Sequence, residues 1–202
     1  MSKVKAKKHS TFIDMTAMSD VTVLLLTFFM LTANFIPKEP VQVITPDSVS
    51  EFKIPDGNVL TILISKEGKV FLNLDLQQDK IAVLKNIGTQ YGLSFTQEQV
   101  ASFVAQPNIG MPINQLRSFL DLRMEEQDKV IKDWGIPTDS TNNQFKTWVT
   151  EATKVNKELT ICIKSDGETP YPIIKKVMGY LQDMKLNRYS LITKLKPMPA
   201  GI

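Results

Sequence analysis

Residues 13–36, IDMTAMSDVTVLLLTFFMLTANFI, constrain this chain more than any other stretch. A helix over 15–36 holds 22 residues and would be about 33 Å long at ~1.5 Å per residue. That matches a hydrocarbon core of roughly 30 Å. From Val21 to Phe35 apolar side chains surround the helix, so a soluble surface helix is a poor alternative. The expectation is a transmembrane helix over 15–36.

Asp20 is the anomaly inside it. A carboxylate in a membrane helix costs about 2.5–3.5 kcal/mol at mid-helix and less toward an end. Such residues generally face a protein interior or a wet cavity and serve ion or proton paths. Thr16, Thr27 and Asn34 lie four before, seven after and fourteen after Asp20. At 100° per residue these four positions fall within about 40° of one another. The spacing predicts a narrow polar stripe facing another protein surface, because lipid cannot satisfy it. For Thr27 and Asn34 plain packing is an equal alternative, and for Asp20 the rival is snorkelling to the interface. Asp14 lies about 120° away and reads as an N-cap.

The sequence Ile13-Asp14-Met15-Thr16-Ala17-Met18-Ser19-Asp20, followed by a leucine-rich helix, resembles the start of ExbD/TolR proteins. Those have a basic tail, then a pattern like I-N-x-T-P-x-x-D, then the membrane helix. Thr16 and Asp20 stand at the family's threonine and essential aspartate. Asp14 replaces the usual asparagine and Ala17 the usual proline, which suggests a divergent branch. The resemblance implies that Asp20 is the proton-carrying residue of an ion-driven motor with no cofactor beyond the coupling ion. It implies a homodimer inside an ExbB-like ring in the bacterial inner membrane, passing work to a TonB-like protein. The alternatives are a TolR-like subunit that maintains the outer membrane and a passive membrane-anchored binding module. A flagellar-stator relative ranks last, since Asn114-Gln115-Leu116-Arg117 does not match the peptidoglycan-binding motif of that group. Whether the ion is proton or sodium stays open.

Charge sets the expected orientation. Lys3, Lys5, Lys7 and Lys8 crowd the first ten residues, and only Lys38, beside Glu39, follows the helix closely. The positive-inside rule therefore puts residues 1–14 in the cytoplasm and the rest in the periplasm. A cleaved signal peptide is the competing reading, but the apolar run is too long for one and carries Asp20. The other 20 Lys and Arg nearly balance the 21 Asp and Glu, which excludes a nucleic-acid-binding composition. The lone Cys162 forms no internal disulfide and fits a core strand. The lone His9 lies in the tail, so histidine-based catalysis beyond the membrane is excluded. Phosphate loops, nucleophile–base pairs and metal-ligand spacings are absent from the sequence, which argues against an enzyme.

Pro37, Pro40, Pro46 and Pro55 predict an extended linker over 37–57, able to reach roughly 60 Å in a polyproline-like form. Within it Val41, Val43 and Pro46 resemble the family's V-x-V-x-L-P segment. That segment is read either as a strand for pairing with a partner or as a spacer with incidental valines.

Beyond the linker a small α+β domain is expected over 58–195, a mixed sheet with helices on it, then a tail over 196–202. A hairpin is predicted from strands 59–65 and 70–74, then a helix over 79–91 closed by Gly92. A capping box at Thr96–Gln99 opens a helix that Pro107 stops, and one long helix is expected from 113 to about 134. Ile81, Met124 and Val130 are among the expected inner residues. Residues 93–140 are an insertion relative to the family, serving either a partner or the core. A helix over 142–155, a strand over 159–164, a turn at Ser165-Asp166-Gly167, a helix over 170–184 and a strand over 189–193 complete the reading. Asp166 and Tyr171 resemble the acidic turn and helix-opening tyrosine of the family's domain, and are expected to fix that turn.

Overall fold

The computed structural model describes residues 15–33, 40–41, 43–48, 57–139 and 142–195. The chain divides into two units, Met1–Pro37 and Lys38–Ile202. The first contains helix α1, Met15–Thr32. At 18 residues it is about 27 Å long. Ala33 follows it outside the helix, so the helix stops short of the expected end, while Asp14, expected as its N-cap, and residues 34–36 lie outside the described part.

The second unit is built on a four-stranded mixed sheet. Strands β2 (Val59–Ile64) and β3 (Val70–Leu74) form the expected hairpin, antiparallel, with Leu60 opposite Leu74 and Ile64 opposite Val70. Gly68, in the turn, has φ +81°, a left-handed conformation that glycine adopts without strain. β4 (Thr160–Ser165) lies parallel to β2, and β5 (Tyr189–Leu191) parallel to β4, giving the order β3-β2-β4-β5. The β-formers of these strands alternate across the sheet. Leu60, Ile62, Leu72, Leu74, Ile161 and Ile163 are all buried.

Helices α2 (Gln77–Tyr91), α6 (Gln144–Val155) and α7 (Tyr171–Asp183) pack with the sheet. α2 ends at Gly92 with φ 67°, and the following Leu93 N–H donates back to the Gly88 carbonyl. Leu84 and Ile87 are buried as expected and Val83 joins them, whereas Ile81 is only half-buried and Tyr91, expected at the inner edge, is exposed. Phe145, Trp148, Val149 and Ala152 bury one face of α6 at the expected 3–4 spacing. Asn143 caps that helix by accepting from the Lys146 N–H at 3.1 Å. Val177 and Leu181 anchor α7.

The region over 93–140, expected as an insertion, joins this core. Phe103 of α3 (Gln97–Ala105) stacks on Trp148 at 6.1 Å between ring centroids. The capping box at Thr96 and Gln99 is present in both directions. The single helix expected over 113–134 is two helices, α4 (Ile113–Leu120) and α5 (Met124–Asp133). Asp121 to Arg123 break it. Glu125 and Glu126 favour a new helix start, where the dipole is positive. The freed Leu122 carbonyl is satisfied by the Gln127 amide at 2.8 Å. Gln127 is fully buried, whereas Met124, expected inside, is exposed and Val130 is only half-buried.

The same region also closes one edge of the sheet. Ile109 exchanges two backbone hydrogen bonds with Leu72 of β3, at 2.7 and 2.9 Å, and the Ile136 N–H donates to the Val70 carbonyl at 2.8 Å. Gly110 lies so close to Phe71 and Ile131 that a Cβ there would collide with the Phe71 ring.

Within the stretch expected as a linker, residues 40–41 and 43–48 lie on this domain. Val41, Val43 and Thr45 are buried. β1 (Asp47–Ser48) pairs parallel with β6 (Lys194–Leu195). The docked part of the linker is therefore not a free spacer. Once folded, the domain leaves an apolar surface that these valines cover.

Candidate functional site

α1 presents oily side chains on all sides. Leu24, Leu25, Leu26, Phe28 and Phe29 are all exposed in the isolated chain, a surface that only a bilayer or another protein can cover. The helix satisfies most of its hydroxyls itself. Ser19 donates to the Met15 carbonyl, Thr22 to Met18, Thr27 to Leu24 and Thr32 to Phe28, all at 2.8–2.9 Å. Such back-bonding is the ordinary way for a membrane helix to carry Ser and Thr.

It separates Asp20 from its neighbours. An ionised carboxylate only accepts, and the N–H groups inside a helix are already committed to the helix ladder. Thr16 and Thr27 are on the helix and share the angular sector of Asp20. Asn34 lies outside the described residues. Ser19, Thr22 and Thr32 fall off the stripe, so hydroxyls alone do not define it.

The second feature lies in the domain, where the linker docks. The Ile44 N–H donates to Asp166 Oδ2 at 3.0 Å, and the Gly167 N–H donates to the Ile44 carbonyl at 2.9 Å. Asp166 Oδ1 accepts from the Glu168 N–H at 3.0 Å, which closes the turn after β4. The Glu168 and Ile44 N–H groups hold the Asp166 carboxyl below its ordinary range, with a smaller contribution from Lys66. Lys66 is itself ion-paired to Glu168. The sequence marked Asp166 as a turn residue. Its bond to Ile44, 122 positions away, carried no sequence signal.

Val41 and Val43 are buried beside this contact while Ile44 and Pro46 are exposed, so the segment shows the period of a half-buried strand. Tyr171, grouped with Asp166 by the sequence, is exposed at the start of α7. An open groove of 940 Å³ lies between the docked linker, the β2–β3 turn and α5, with Val41, Ile44 and Phe71 among its apolar lining. Its charged lining carries both signs, including Lys66, Lys129, Lys132, Glu125 and Asp128. Cys162 is buried in β4, where burial raises its pKa. Among the described residues no cluster of His, Cys, Asp and Glu could hold a metal.

The profile of the biopolymer transport protein ExbD/TolR family matches residues 6–196. The chain belongs to the ExbD/TolR family. Comparison with curated proteins and with solved structures gave no match. The matched range runs from the basic tail through α1 to β6, and it spans helices α3, α4 and α5. ExbD/TolR proteins are non-enzymatic accessory subunits of biopolymer transport, with an energy-transducing role, anchored in the inner membrane. They work with ExbB or TolQ and with TonB or TolA. This chain has the one apolar N-terminal helix that such an anchor needs.

Proposed function

We propose that this chain is the ExbD-type subunit of an inner-membrane motor driven by the proton-motive force. The observation that carries the reading is Asp20, a carboxylate in a helix whose hydroxyls largely satisfy themselves and whose remaining surface is apolar. Asp20 alternates between protonated and ionised forms as it meets polar groups of an ExbB-like ring. One charge moved across the membrane potential supplies ~2.3 kcal/mol per 100 mV. A homodimer of helices converts that energy into displacement, with the N-terminus cytoplasmic and the domain periplasmic. A TonB-like protein receives the work and opens outer-membrane receptors for nutrients.

The test is uptake of a TonB-dependent nutrient in cells whose only copy is Asp20→Asn, at matched membrane levels. The substitution keeps size and polarity and removes the titratable proton, so insertion stays normal and uptake falls to background. Full uptake in this strain refutes the reading. If detergent sensitivity appears in its place, the duty is that of TolR.

A further inference from the structure

We propose that Asp166 is a force-coupling residue, pinning the linker to the β4–α7 turn so that displacement of the membrane helix enters the domain there. This rests on the energy-transducing reading above. Three contacts converge on the short docked segment. Val41 and Val43 are buried in the core cluster. Both backbone groups of Ile44 are bonded to Asp166 and Gly167. Asp47 and Ser48 pair with Lys194 and Leu195 at the far end of the chain.

The consequence is a shorter tether. Between Thr32, the end of α1, and Pro40 stand seven residues, at most about 25 Å of chain. Without the docked segment, the next anchored element is β2 at Val59, with 26 residues between it and Thr32, a contour of as much as about 90 Å. Slack of that size absorbs a helix movement of a few ångströms without moving the domain. The docked segment removes the slack. It also leads the load to β4, a central strand hydrogen-bonded on both sides, through residues next to its end. Pulled here, the sheet is loaded across several hydrogen bonds rather than at the start of β2.

Asp166 is the one side chain hydrogen-bonded to the docked backbone among the described contacts of this segment, and Ile44 is otherwise exposed. Valine burial alone has no directional bond to resist sliding, since the hydrophobic effect is non-directional. The carboxylate supplies the direction, with the Gly167 N–H as its neighbour on the same residue.

The test uses the full chain in membranes with its ring partner. In a Cys162→Ser background, Val43→Cys reports docking by its rate of maleimide labelling, because position 43 is buried only while docked. Adding Asp166→Ala is expected to raise that rate about ten-fold and to lower energised transport. Asp166→Asn, which keeps one acceptor oxygen, gives an intermediate rate. A cysteine pair at Ile44 and Gly167, in the Asp166→Ala chain, restores transport on oxidation and loses it on reduction. Gly167 has room for a side chain, its nearest neighbours lying 3.8 Å from a built Cβ. Restoration also shows that Asp166→Ala had not unfolded the domain.

An unchanged labelling rate in Asp166→Ala overturns the proposal, because Asp166 then does not hold the linker. Loss of transport when the cysteine pair is oxidised in an otherwise Asp166-containing chain also overturns it, because the segment must then leave the domain to work. Labelling depends on docking alone, so it stands or falls separately from the Asp20→Asn result that tests the motor reading.

Discussion

The proposed function and the proposed coupling each rest on one aspartate, and the settings of the two are opposite. Asp20 stands in a helix whose surface is otherwise mostly apolar, where a carboxylate calls for a protein or aqueous partner. Asp166 is at the surface and already holds two N–H groups. Its lowered pKa gives a sign to the pH dependence of docking. A carboxyl with a folded pKa below its ordinary 3.8 stabilises the docked form above that pH. The contribution fades as pH falls through the depressed value. The melting temperature of the wild-type domain should therefore exceed that of Asp166→Ala by a constant margin from pH 7 to about 5. The margin should shrink below about pH 4, as read by circular dichroism on the detergent-solubilised chain. A margin independent of pH down to acid unfolding would show that the carboxylate charge is not what binds Ile44. Lys80 is a third ionisable group in an unusual place. It is buried, donates to the Gln106 carbonyl at 2.9 Å, and has its pKa pushed down by burial with Asp75 opposing the shift. Its surroundings are the polar cluster of Gln106, Gln127 and Ser102 that ties α2, α3 and α5 together. That makes it a structural lysine.

At the scale of elements, helices α3 to α5 do two jobs at once. They enlarge the core through Phe103, Leu116, Phe119 and Ile131, and their connecting backbone occupies the outer edge of β3. An open edge of alternating apolar residues is a template for pairing with other chains, and natural folds cover such edges. Ile109→Pro removes the N–H that bonds the Leu72 carbonyl at 2.7 Å. It should cost about 1–3 kcal/mol by leaving a buried acceptor unsatisfied. It should also raise self-association of the purified chain in detergent, measured by sedimentation velocity. Stability lost without new association would mean that helix packing alone shields β3. The same element shows how far local reading reaches. The 3–4 spacing of Leu116, Phe119 and Leu120 correctly marks an inner face. The spacing runs on through Ile131, so periodicity alone joins α4 and α5 into one helix. The break depends on a side chain from within the next helix, Gln127, turning back to the Leu122 carbonyl. Nothing in the local pattern distinguishes that glutamine from an exposed one.

For the molecule as a whole, the two units answer to different solvents. The membrane helix requires only apolar length and a satisfied backbone, while the domain requires a packed core. Trp148→Ala in α6, where the side chain is almost fully buried and stacked on Phe103, should cost the domain about 3–5 kcal/mol. Membrane integration of α1 should be unchanged. Urea denaturation read by protease resistance checks the first expectation and alkaline extraction of membranes the second. Extraction of the variant into the soluble fraction would show that insertion depends on the folded domain.

Read alone, the amino-acid sequence determined the membrane helix, its anomalous carboxylate, the hairpin, most of the strands and helices and the family, though not the break between α4 and α5 or the β1–β6 pair. Each of these is written in contiguous residues, through length, period, turn chemistry or motif. The tertiary structure decided what covers what. It placed Val41 and Val43 on their own domain, joined Asp166 to Ile44 and laid the backbone at Ile109 and Ile136 along β3. These contacts link residues tens to more than a hundred positions apart. Their energies depend on which surfaces remain unburied once the sheet and its helices have formed, a quantity that no local window contains.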